Sequence, residues 1–70
     1  MGLDPVIKEI INEDIKQLGI GISIDDLMAG TQVNLPEKVI KQLSSILWEY
    51  RISLQHEKKG KKIFLRAKEC

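Results

Sequence analysis

The chain is poor in the residues that usually carry chemistry: one cysteine, one histidine and three aromatics among seventy. A lone Cys70 closes no internal disulfide, so the fold is expected to stand without one, in an intracellular setting. With only His56 beside it, no zinc-ligand set is available, and no metal or other cofactor is expected. No apolar run nears the ~20 residues that span a bilayer, and the start lacks a basic-then-apolar leader, so no membrane association is predicted. Cys70 has no neighbouring base to activate it. The acid pairs Glu13–Asp14 and Asp25–Asp26 are explained by helix-end solvation and capping. The chain therefore reads as a non-enzyme, without catalytic residues or an evident small-molecule substrate.

Apolar residues make up 43% of the chain and charged residues 30%, a balance that suits a folded soluble domain and excludes a disordered polyelectrolyte. Seventy residues are expected to form one domain over 1–70, whose core supplies only roughly 3–5 kcal/mol of net stability. Eleven isoleucines predict an aliphatic core. The net charge of +1 conceals an asymmetry: residues 1–30 carry −4 and residues 31–70 carry +5. An acidic first half and a basic second half suggest one face suited to an anionic partner.

Hydrophobic spacing divides the chain into helices followed by strands. Asp4 as N-cap and Pro5 at the first helical position open a helix over about 5–18. Its stripe is Val6, Ile7, Ile10, Ile11, Ile15 and Leu18, and Gly19 ends it. "GIGIS" predicts an extended connector or a short strand near 20–22. Ser23 and Asp26 have capping-box spacing before a second helix over about 24–29, after which "TQV" is expected to turn. Asn34 and Glu37 have the same spacing at the head of a third helix, about 35–50, with its apolar stripe centred on Leu43. From Arg51 the period falls to two, and Ile52 and Leu54 alternate with polar residues. "EKKGKKIFLRA" then predicts a hairpin turning at Gly60, within a unit of about 51–67, with Phe64 or its neighbours Ile63 and Leu65 facing inward.

This order, in the stretch "ISIDDLMAGTQVNLPEKVIKQLSSILWEYRISLQHEKKGKKIFLRA", resembles the winged helix-turn-helix superfamily of DNA-binding domains. The resemblance implies an α+β fold: three helices plus a C-terminal β-hairpin wing. It also implies that the third helix enters the major groove while the wing lies along the backbone. Where members often have glycine at the end of the recognition helix, this chain reads "EYRI". On that reading Lys38, Lys41, Gln42 and Ser45 of the third helix face double-stranded DNA, Thr31 and Gln32 bond phosphates from the preceding turn, and Lys58, Lys59, Lys61 and Lys62 form the wing tip. Arg51, Arg66 and Lys68 extend the patch along the hairpin. The implied role is a small transcriptional regulator or an accessory domain in DNA transactions.

Two features keep other readings open. Trp48 falls about 140° from the centre of the buried stripe. It either folds back over the hairpin or first helix, or forms a protein interface, as tryptophan often does. The stripe of the first helix is likewise either core or partly a seat for a twofold mate, which would make the protein a homodimer. A winged helix used as a protein-interaction module in a larger complex is the alternative reading, and RNA is a third partner for the same basic face.

Overall fold

The Asp4 carboxylate accepts a 2.8 Å hydrogen bond from the Val6 N–H, and with Pro5 behind it the first helix, α1, runs Pro5–Lys16. Two tighter turns at Leu18 and Gly19 then close it. The computed structural model describes residues 3–69 and continues with α2 (Ile24–Ala29), β1 (Thr31–Val33), α3 (Glu37–Trp48), β2 (Ile52–Lys59) and β3 (Lys62–Glu69). The result is an α+β domain: three helices and a three-stranded antiparallel sheet whose hairpin follows α3, broadly winged-helix-like in shape.

α2 has a complete capping box. Ser23 Oγ accepts from the Asp26 N–H, and Asp26 accepts from the Ser23 N–H, both at 3.2 Å. A third group comes from α1, where Asn12 Oδ1 accepts from the Ile24 N–H at 2.7 Å. Beside it Lys8 pairs with Asp25 at 2.8 Å. One face of α1 is thereby fastened to the start of α2.

The sheet order is β1-β3-β2, so the strand that comes last in the chain lies in the middle. β2 pairs with β3 from Ile52↔Glu69 to Lys59↔Lys62, and β1 pairs Thr31↔Leu65, Gln32↔Phe64 and Val33↔Ile63. Directly opposed residues share a face. The inner face therefore carries Ile52, Leu54, Ile63, Leu65 and Ala67. Ile52, Leu65 and Ala67 are buried against Ile11 and Ile15 of α1, Ile24 and Leu27 of α2, and Ile40, Leu43 and Leu47 of α3. The buried positions on α3 recur at three and four residues, the period of a helix packed on one side.

Several expectations need correction. Of the two readings of 20–22, the connector holds and no strand forms, because Gly19 (φ 69°) and Gly21 (φ 66°) take left-handed conformations that interrupt an extended run. The "TQV" segment is not a turn but β1, so a strand stands between α2 and α3. The third helix does not begin at residue 35. Proline bars the preceding residue from helical backbone, and Pro36 itself is the N-cap, with no side-chain cap and therefore no Asn34–Glu37 box. In α1, Val6, Ile7 and Ile10 are exposed and only Ile11 and Ile15 are buried, which narrows the expected core stripe. Of the residues expected to face inward from the last strand, Ile63 and Leu65 do so, whereas Phe64 lies on the outer face in phase with Lys62 and Arg66.

Candidate nucleic-acid interface

Burial of Ile40, Leu43 and Leu47 leaves the opposite side of α3 in water. Lys38, Lys41, Gln42, Ser45 and Trp48 are all exposed there, together with Glu37 and Glu49. Trp48 is 55% exposed, so it is not an edge of the core. Lys41 and Ile40 of this helix meet the hairpin across a cleft of about 470 Å³ whose other wall includes His56, Lys58 and Ile63. Glu37 and Glu57 line the same cleft. Its field is mixed, two lysines against two carboxylates.

The four hairpin lysines do not act from one side. Lys58 opposes Ile63 and so shares the inner face with α3, Lys59 and Lys62 oppose each other on the outer face, and Lys61 belongs to the two-residue turn with Gly60. Thr31 and Gln32 are separated as well. Thr31 opposes Leu65 on the inner face and is half-buried, whereas Gln32 opposes Phe64 on the outer face and is exposed. The expected phosphate-binding turn before α3 is thus a strand whose two polar side chains point in opposite directions.

The unbalanced charge lies on the hairpin. Two ion pairs occur among the described residues, Lys8–Asp25 and Lys16–Glu13, and both belong to the first half of the chain. The lysines of α1 are therefore matched, Lys16 to Glu13 of its own helix and Lys8 to Asp25 of α2. The lysines of α3 and every basic residue of the hairpin have no carboxylate within salt-bridge distance among the described residues. Lys59 and Lys62 are a like-charge pair directly across two strands, an arrangement that costs stability in the free domain.

The turn between α3 and β2 is joined to α1 through Tyr50, whose hydroxyl donates to Asp14 Oδ2 at 2.5 Å. That hydrogen bond, then burial, then the negative charges of Asp14 and Glu49, hold the phenol pKa above its ordinary value. Just beyond Tyr50, Arg51 has φ 60°, the left-handed conformation that glycine would enter without strain.

Arg66, Lys68 and Phe64 share the outer face with Lys59 and Lys62. A strict reading of "KIFLRAK" as alternating would have placed Phe64 with the cations, since the even-numbered positions are Lys62, Phe64, Arg66 and Lys68. Among the described residues no group of His, Asp and Glu side chains converges as metal ligands would, and no helix is long and apolar enough to cross a membrane. The chain matches no protein-family model, no curated protein and no solved structure.

Proposed function

We propose that this protein is a binding module, not an enzyme, that engages double-stranded DNA through the exposed face of α3 and the tip of its hairpin. One observation carries the reading: Lys38 and Lys41 of α3 and the lysines of the hairpin tip, with Lys58 on the α3 side, have no carboxylate within salt-bridge distance among the described residues. Cations left without ion pairs on an exposed surface gain when an anion neutralises them. Lys38, Lys41, Gln42 and Ser45 supply donors along the helix that faces the same solvent as the Lys41–Lys58 cleft. Without arginine on α3, contacts to the backbone outweigh bidentate reading of guanine, so binding is expected to tolerate sequence variation. Such a role places the protein inside the cell, in transcription or another DNA transaction.

A salt-titrated binding assay with a random-sequence duplex tests this. Affinity should fall steeply with salt, and the double substitution Lys58→Glu, Lys61→Glu should weaken binding to every sequence while reducing the log–log salt slope by about 2. A shallow slope, or unchanged affinity in the double variant, defeats the proposal.

A second reading rests on Trp48, whose exposure is unusual for so large an apolar ring. In that reading the same face of α3 captures a protein, either a partner or a second copy of this chain. Trp48→Ala should then abolish capture and lower the sedimentation mass of the complex while leaving the domain folded. Unchanged mass and capture would exclude it.

A further inference from the structure

We propose that the outer face of the sheet, turned away from α3, is a binding track for single-stranded nucleic acid. This goes beyond the duplex reading and does not depend on it. The inner face is buried against the helices, so a duplex seated on α3 lies across the sheet from Arg66 and Lys68.

The outer face carries four cations, Lys59, Lys62, Arg66 and Lys68, against one acid, Glu57. None of the four is ion-paired among the described residues. Three of them belong to β3, where same-face positions recur every two residues, about 6.8 Å apart. That interval is comparable with the distance between successive phosphates of one nucleic-acid strand. In the remaining interval, between Lys62 and Arg66, stands Phe64. The tip of its ring is held against Gly30, and the Lys59 ammonium lies over the ring, 5.9 Å from its centroid, on a flexible stem that must swing aside for a base to stack. A fixed aromatic among unpaired cations is the combination that holds unpaired bases and their backbone together.

The neutral positions suit the same ligand. Ser53 opposes Lys68, Gln55 opposes Arg66, and Gln32 opposes Phe64 on the other flank of β3. Amides and hydroxyls both donate and accept, so they can meet base edges that are free of Watson–Crick partners. Two open clefts, about 420 and 470 Å³, meet at the Gln55–Arg66 pair and offer room for bases beside the phosphate line, though Glu69 lines one and Glu57 the other. A duplex fits this surface poorly. Its two backbones flank a groove about 12 Å wide, which a helix or ribbon enters but a flat strand bearing one line of cations does not.

The test uses the full chain with two labelled probes at low salt, an oligothymidylate of about twelve nucleotides and a random duplex. Arg66→Glu with Lys68→Glu should lower affinity for the oligothymidylate about tenfold or more and leave duplex affinity within about twofold. The milder pair Arg66→Gln, Lys68→Gln should lower it in the same selective way, and thermal melts establish that each variant is folded. Lys38→Glu with Lys41→Glu should do the reverse, weakening the duplex only. The inference is overturned if the unaltered chain does not bind the oligothymidylate, if the outer-face variants bind it normally, or if they lose both ligands equally. Selective loss of the single strand in a chain that never bound the duplex would sustain this inference and defeat the duplex reading alone.

Discussion

Phe64 rests on Gly30 so closely that a β-carbon at Gly30 would stand 2.6 Å from the ring Cζ. Gly30 also has φ 94° and ψ 129°, backbone that residues with a side chain rarely adopt. Both conditions arise because α2 must end and β1 begin within one residue, under a ring that projects from the central strand.

Gly30→Ala should therefore cost about 2–4 kcal/mol, from backbone strain and overpacking together. In a domain this size that lowers the melting temperature by ~10 °C or more. Combining it with Phe64→Ala should relieve the overpacking but not the backbone strain, giving a double-mutant cycle with a clear coupling energy. Strict additivity would show that the ring does not set the requirement for glycine.

The Tyr50–Asp14 hydrogen bond makes stability sensitive to alkali. The folded state favours the protonated phenol, so its contribution is complete below the ordinary tyrosine value of about 10 and is lost as pH rises through the higher folded value. The chain has a single tyrosine, so an absorbance titration reads it directly. The folded protein should show a midpoint above about 10, and Asp14→Asn should bring it down, since the charge goes while an acceptor remains. Tyr50→Phe should cost about 1 kcal/mol at neutral pH, at the low end for a hydrogen bond to a carboxylate because the site is half-buried, and should remove this alkaline loss.

Arg51 occupies a left-handed position between α3 and β2. Arg51→Gly should stabilise the domain by about 0.5–1 kcal/mol, the relief of strain exceeding the added freedom of the unfolded chain. Chemical denaturation measures this as a higher midpoint with an unchanged slope. A lower midpoint would mean that the arginine side chain contributes more than its backbone costs.

The opposed Lys59 and Lys62 set stability against binding. Lys62→Glu should stabilise the hairpin by about 0.2–1 kcal/mol at low ionic strength, an effect that fades with salt. The same substitution should weaken nucleic-acid binding. Stabilisation without loss of affinity would separate the pair from the interface.

Local chemistry was legible wherever its cause was local. Asp4 with Pro5, and Ser23 with Asp26, marked helix starts that the structure places at the same residues, because a cap is decided within four positions. Ile40, Leu43 and Leu47 showed the buried side of α3 through their spacing. β1 was not legible. Three residues are too few to display a period, and their partners Ile63, Phe64 and Leu65 lie about thirty positions away. At the start of α3 the Asn34–Glu37 spacing points to residue 35, but Pro36 places the stronger constraint on Leu35. Of the candidate site, residue types and exposure on α3 were readable. The division of the lysines between two faces was not, since it depends on the register that pairs Lys59 with Lys62.

The central position of β3 has a consequence for how the domain assembles. Among the described residues neither β1 nor β2 has another strand to pair with, so no part of the sheet exists until the last strand docks. A chain interrupted at the Gly60 turn would lack Leu65 and Ala67, against which the helices pack, and it would leave Ile52 and Leu54 without the neighbour that aligns them. Such a fragment would expose apolar surface and an unpaired strand edge, and it is expected to self-associate.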